Sequence, residues 1–285
     1  MNHRIIAAFV GTALFVGTAA TMTGRRVKEI KKDFLTTTSN TVLVASHRAV
    51  HHVYPENSIP AVKEAIRLGI DIIEIDVKVT SDGVPVLMHD GKIDRTTNGK
   101  GNPETMTFAQ LQTYNLVVKG AKTEEKIPTL EEVLHLAKGR ILVDLDLKTD
   151  KLGPIIDVVK KTKTEDIVFY FDSDYNALHF VDKVNKKYML MPRAHSQAMA
   201  DSAISLFKPE VVHIDFSFYT PEVVSLIKKR GARVWINALG PIDILLRTER
   251  RDEALDKLLK HGANVIQTDE PELLLKLLKD KGLHV

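Results

Sequence analysis

The stretch "DIIEIDVKV", Asp71 to Val79, sets Glu74 and Asp76 on one face of an extended chain and Ile73, Ile75 and Val77 on the other. In an antiparallel sheet this alternation marks one wet face. In a closed parallel barrel the outer face packs on helices and takes the apolar set, so the same acids point inward. "RILVDLDLK", Arg140 to Lys148, repeats the pattern, with Asp144, Asp146 and Lys148 opposed to Val143, Leu145 and Leu147. The neighbouring segments decide between the two sheets.

From Thr41 onward, short β-rich runs alternate with helical patterns. Besides the two acidic segments the runs are "TVLVA" (41–45), "DIVFYFD" (166–172), "YMLMPRA" (188–194), "EVVHIDFS" (210–217), "ARVWINA" (232–238) and "ANVIQTD" (263–269). Between them lie helical spacings such as Ile59, Val62, Ala65 and Ile66, closed by Gly69, and Pro221 to Arg230, closed by Gly231. Eight strands alternating with helices over residues 41–285 predict an α/β fold, a single-domain (β/α)8 TIM barrel. A doubly wound open sheet is the alternative. The barrel requires functional side chains at the C-terminal strand ends, and the sequence places there His47 with Arg48, Glu74 with Asp76, Asp146 with Lys148, Arg193 with His195, Asp215, Asn237 and Asp269.

The chain of 285 residues is 44% hydrophobic and 27% charged, enough to bury a large core. Its net charge of +3 is spread over interleaved lysines and acids, with no basic stripe, so nucleic acid is not an expected partner. Without cysteine there is no disulfide, thiolate zinc site or cysteine nucleophile. Inward carboxylates at one barrel mouth cannot all stay ionised without a counter-ion. An oxygen-rich set without thiolates points to a divalent cation, Mg²⁺ or Ca²⁺.

Histidines complete the pattern. In "SHRAVHHVYPENS" (46–58) and "DGVPVLMHDGKIDRTTNGKG" (82–101), His47 and His89 each follow an extended run, and the two runs bracket the acidic strand. Placed on opposite sides of a metal-held phosphate, they would supply the base and acid of an in-line displacement at phosphorus. At the N-terminus, Arg4 and the apolar run "IIAAFVGTALFVGTAA" (5–20) predict that residues 1–24 are a signal peptide, hence export to a periplasmic or extracellular location. An uncleaved membrane anchor is the alternative, because the run stretches to about the 20 residues of a spanning helix. Residues 25–40 read as a polar tether.

The motifs "HR" (47–48), "PEN" (55–57), "EIDV" (74–77), "DGVPVLMHD" (82–90), "DRTTNGKG" (94–101), "IPTLEEVL" (127–134) and "DLK" (146–148) resemble the glycerophosphodiester phosphodiesterase family, as do "VWIN" (234–237) and "VIQTDEP" (265–271). The likeness runs from Val42 to the C-terminus. It implies a metal-dependent TIM-barrel hydrolase that cleaves glycerophosphodiesters, small-molecule phosphodiester substrates, to glycerol 3-phosphate and an alcohol. It further implies His47 and His89 as general acid and base, Glu74, Asp76 and Asp146 as metal ligands, and Arg48 and Lys148 as phosphate holders. Asp146 stands where the family usually has glutamate, and Ala49 where it usually has glycine. Residues 101–127 are short for a region that in the family often covers the substrate, which implies an open site that admits a bulky alcohol.

A lipid-directed phosphodiesterase of the same fold, acting on a lysophospholipid or phosphoinositide, is the second reading, with Trp235, Phe216, Phe218 and Tyr219 as an apolar substrate wall. A barrel that binds phosphate without catalysis is the third, and retention of both histidines and all three acids argues against it. Oligomeric state leaves no mark in the sequence.

Overall fold

A computed structural model describes residues 26–285. The expected signal or anchor lies outside them. Among the described residues no helix is long and apolar enough to cross a membrane.

The barrel strands are β1 (Leu43–Ser46), β2 (Ile72–Val79), β6 (Leu142–Leu147), β7 (Val168–Asp172), β8 (Met189–Ala194), β9 (Val211–Ile214), β10 (Arg233–Asn237) and β11 (Val265–Thr268). Each pairs in parallel with its neighbours, and β1 closes the ring by pairing with both β2 and β11. The result is the closed barrel that the alternation predicts. Helices α2 (Ile59–Leu68), α4 (Leu130–Ala137), α5 (Leu152–Thr162), α6 (Tyr175–Val184), α7 (Gln197–Phe207), α8 (Pro221–Lys229), α9 (Pro241–Leu246), α10 (Arg251–Leu259) and α11 (Pro271–Asp280) follow the strands. The "PENS" and "IPTLEEVL" motifs contain helix starts. Ser58 caps α2, and Thr129 with Glu132 forms a capping box on α4, the latter worth about 1 kcal/mol.

Residues 80–129 are an ordered unit rather than a bare connection. Strand β3 (Pro85–Leu87) adds antiparallel to β2, a short helix α3 (Phe108–Leu111) follows, and β4 (Val117–Val118) with β5 (Ala121–Lys122) makes a hairpin. Val86, Met88, Ile93, Leu111, Leu116 and Ile127 bury a small apolar cluster of their own beneath it.

The expected tether is corrected by the structure. Residues 26–35 form a helix, α1, laid across the floor of the barrel, the end where the strands begin. Val27, Ile30 and Phe34 are buried, and the Phe34 ring stacks on Phe169 at 4.9 Å. Arg233, fully buried at the start of β10, donates to the carbonyls of Asp33, Thr36 and Thr41 and so ties the end of α1 to the floor. Burial pulls this guanidinium down only to about 10, so it stays charged.

Asp71 is a second floor contact. Its carboxylate accepts from the Val44 amide at 2.9 Å, from Arg26 at 3.3 Å and from His284 Nε2 at 2.8 Å. Burial works to lower the His284 pKa, yet the hydrogen bond and charge of Asp71 outweigh it and raise the value. A raised histidine pKa stabilises the fold fully below its unfolded value, about 6.5, and loses that contribution as pH rises through the folded value. His284→Ala is therefore expected to cost about 1.5 kcal/mol near pH 5.5, the low end for a hydrogen bond to a charged group, and less at pH 9. Urea midpoints of both proteins at the two pH values check this, and a pH-independent difference would assign the contact to packing alone.

Candidate active site

The inward faces of the strands meet at the mouth in a cavity of about 80 Å³. Register sets its acidic side: Glu74 lies beside Asp144 and Asp76 beside Asp146 across the β2–β6 pair. Oxygens of Glu74, Asp76 and Asp146 come within 4.8 Å of one another, a group that could hold a metal ion. Gln267 donates to Glu74 at 3.2 Å, Asn57 donates to Asp76 at 2.8 Å, and Lys148 Nζ lies 2.6 Å from Asp146 and 3.7 Å from Asp76. Burial, then the charges of Asp76, Asp146 and Asp144, push Glu74 well above the usual carboxylate range. Asp144 rises for the same first reason, and Asp146 reaches about 6 although Lys148 opposes the shift. These residues repel one another in the absence of a cation, and all offer hard oxygen donors, so the set fits a divalent hard cation.

Both histidines line this cavity. His47 Nδ1 meets Asp269 at 2.7 Å, and His89 Nδ1 meets Asp90 at 2.6 Å. A carboxylate only accepts, so each Nδ1 carries the proton and each Nε2 is left to face a ligand. The supports continue outward: Arg95 bridges Asp90 to Glu56, and Glu56 accepts from Arg48 at 2.8 Å. Arg48 also reaches Asp76 at 3.3 Å, while its backbone amide donates to Glu74 at 2.8 Å. Two imidazoles and the clustered carboxylates thus line one cavity, while Arg48 and Lys148, paired with Asp76 and Asp146, stand outside its lining.

Residues 47–273 match the glycerophosphoryl diester phosphodiesterase family. The chain belongs to this family. A glycerophosphodiester phosphodiesterase from Caldanaerobacter subterraneus subsp. tengcongensis is 30% identical over 253 residues, covering 84% of this chain and 99% of the relative. Among solved structures, a glycerophosphoryl diester phosphodiesterase from Parabacteroides distasonis superposes with TM-score 0.78 at 25% identity, covering 90% of this chain and 92% of that one. A phosphodiesterase from Oleispira antarctica, solved in complex with the product sn-glycerol-3-phosphate, gives TM-score 0.72 at 25% identity, with 83% and 96% covered.

Against the family's usual pattern, the two substitutions of this phosphodiesterase behave differently. Asp146 keeps its carboxylate within the acidic group despite the shorter side chain. Ala49 takes the left-handed conformation at φ 61° that glycine adopts freely. That costs an alanine roughly 1–2 kcal/mol. Burial of its methyl, which is 1% exposed, returns about 0.8 kcal/mol, so roughly half of the penalty is offset.

Of the expected site residues outside the cavity lining, Trp235 is the one that touches none of the acids. Trp235 is fully buried and does not line the cavity. On β10 it shares the inward face with Arg233 and Asn237, and it sits one layer below Asn237. Its ring packs on Phe169 at 6.1 Å and its Nε1 donates to Asn237 Oδ1 at 2.9 Å. Tyr219 is likewise no part of an exposed wall, since it is buried with its hydroxyl bonded to the Leu258 carbonyl. The sequence reading missed the tie of Asp269 to His47 and that of Asn57 to Asp76. His51 and His52 turn toward Asp269 at 3.5 Å and Glu270 at 2.8 Å and lie outside the acidic group.

Proposed function

We propose that the protein hydrolyses glycerophosphodiesters to glycerol 3-phosphate and an alcohol, with His47 and His89 as general base and acid and with Ca²⁺ or Mg²⁺ held by Glu74, Asp76 and Asp146. The observation that carries this is the pair of carboxylate-oriented imidazoles in the same cavity as the three clustered acids. Arg48 and Lys148 bind the non-bridging oxygens and fix the phosphorus between the two Nε2 atoms. One imidazole takes a proton from water as its oxygen bonds to phosphorus, and the other gives a proton to the departing alkoxide as the P–O bond breaks. Bound at the acids, the cation would neutralise charge that builds on the phosphoryl oxygens. The first imidazole then holds the extra proton and the second has lost its own, so a proton must pass from the first to the second through solvent before the next turnover.

Incubation with glycerophosphocholine, glycerophosphoglycerol and lysophosphatidylcholine, each with Ca²⁺, Mg²⁺ or chelator, tests the reading. Glycerol 3-phosphate should appear from the two glycerophosphodiesters with metal and cease in chelator. Intact glycerophosphodiesters with both metals would overturn it.

A further inference from the structure

The support of His47 runs beyond Asp269 to helix α9, which the catalytic reading leaves unused. Asp243, in the first turn of α9, is 1% exposed and lies outside the cavity lining. Burying a carboxylate is costly unless its oxygens find donors. Here both do: one accepts from Thr268 Oγ1 at 2.5 Å and the other from the Asp269 backbone N–H at 2.8 Å. Thr268 Oγ1 in turn accepts from the Glu270 N–H at 2.9 Å, so the hydroxyl proton is the one given to Asp243. At the end of α9, Arg247 pairs with the Glu270 carboxylate.

These contacts fall on three consecutive residues, and two of the three hold His47. The Thr268 carbonyl accepts from the His47 backbone N–H at 3.1 Å, and Asp269 Oδ1 meets His47 Nδ1 at 2.7 Å. Strand β11 ends at Thr268, so Asp269 stands just past the ladder and Asp243 is the acceptor that holds its amide. The aim of that side chain matters, because His51 Nε2 lies 3.5 Å from the same Oδ1 and competes for it. Gly240 makes the turn that brings Asp243 back over the strand end, at φ 78°, a conformation glycine adopts freely. Helix α9 is thus fastened to the one segment that orients an imidazole of the site.

We propose that Asp243 and Thr268 are positioning residues that, through Asp269, keep the His47 proton on Nδ1 and its Nε2 turned to the cavity. This rests on the hydrolase reading above. The rival is a plain brace, in which the same contacts only fasten α9 to the barrel.

Long-range ¹H–¹⁵N spectra of protein labelled at histidine, recorded in mildly alkaline buffer, read the ring tautomer without turnover, and the loss of signals in His47→Gln assigns them. In the wild type the His47 proton should sit on Nδ1. Asp243→Asn turns an amide toward one of two donors, and Thr268→Val removes the hydroxyl at nearly constant shape. Each should give a mixture of His47 tautomers and lower kcat on glycerophosphocholine by roughly ten- to a hundredfold, with KM nearly unchanged. Thr268→Ser keeps the hydroxyl and should recover most of both readings. In an Asp269→Ala background neither substitution should cost more, because the carboxylate they position is gone. Losses that add in that background, or a His47 that stays on Nδ1–H at full kcat in both variants, would leave a brace and overturn the proposal. If Asp243→Asn fails to fold, Thr268→Val carries the same test. A wild type that cleaves no glycerophosphodiester removes the hydrolase reading, and the tautomer spectra still decide whether Asp243 and Thr268 position His47.

Discussion

His47→Ala and His89→Ala are each expected to lower turnover of a glycerophosphodiester by roughly 10²- to 10⁴-fold, the range for loss of a general acid or base. Both side chains line the mouth and neither belongs to the apolar core, so thermal melts should barely move. The two variants should differ on leaving groups. p-Nitrophenolate departs without protonation, so a nitrophenyl diester should recover much of its rate in the variant that lacks the acid and little in the one that lacks the base. Equal losses on good and poor leaving groups in both variants would remove the acid and base assignment.

The second large effect is on stability. Glu74, Asp76 and Asp144 are nearly inaccessible to solvent, at 2%, 1% and 1% exposed, and burial drives two of them well up in pKa. A cation that binds only the folded chain adds RT ln(1 + [L]/Kd), about 2.7 kcal/mol at a hundredfold excess over Kd. Added Ca²⁺ or Mg²⁺ should therefore raise the melting temperature of chelator-treated protein. Glu74→Gln should abolish activity and shrink that shift, while raising the melting temperature of the metal-free protein by removing one like charge from the cluster. A metal-induced shift that survives both Glu74→Gln and Asp76→Asn would place the cation elsewhere.

The barrel was legible because its strands are short, apolar on the helix side and punctuated by glycine-ended helices such as α2 and α8, and each predicted run contains an observed strand except 41–45, which β1 outruns by one residue at Ser46. The acids were legible for the same reason: period-two alternation in β2 and β6 states which way each side chain points. Helix α1 was hidden by composition. Val27, Ile30 and Phe34 have helical spacing, but lysines and acids between them lower the apolar signal, and the docking is set by Arg233, about two hundred residues away in sequence. Trp235 was misplaced because a strand pattern gives the face and not the depth; inward residues fill layers, and only the top layer meets substrate. The pairing of His47 with Asp269 was beyond reach since it joins the first strand to the last, a contact made only when the ring closes.

Helix α1 has a geometric consequence. Arg26 sits against Gly69 and Asp71, where β2 begins, so the first described residue lies at the pole opposite the carboxylates. The helix closes that pole and leaves the mouth clear, so a solute reaches the carboxylates only from the far side, and a truncation that removed α1 would open the floor without touching a single residue of the acidic group.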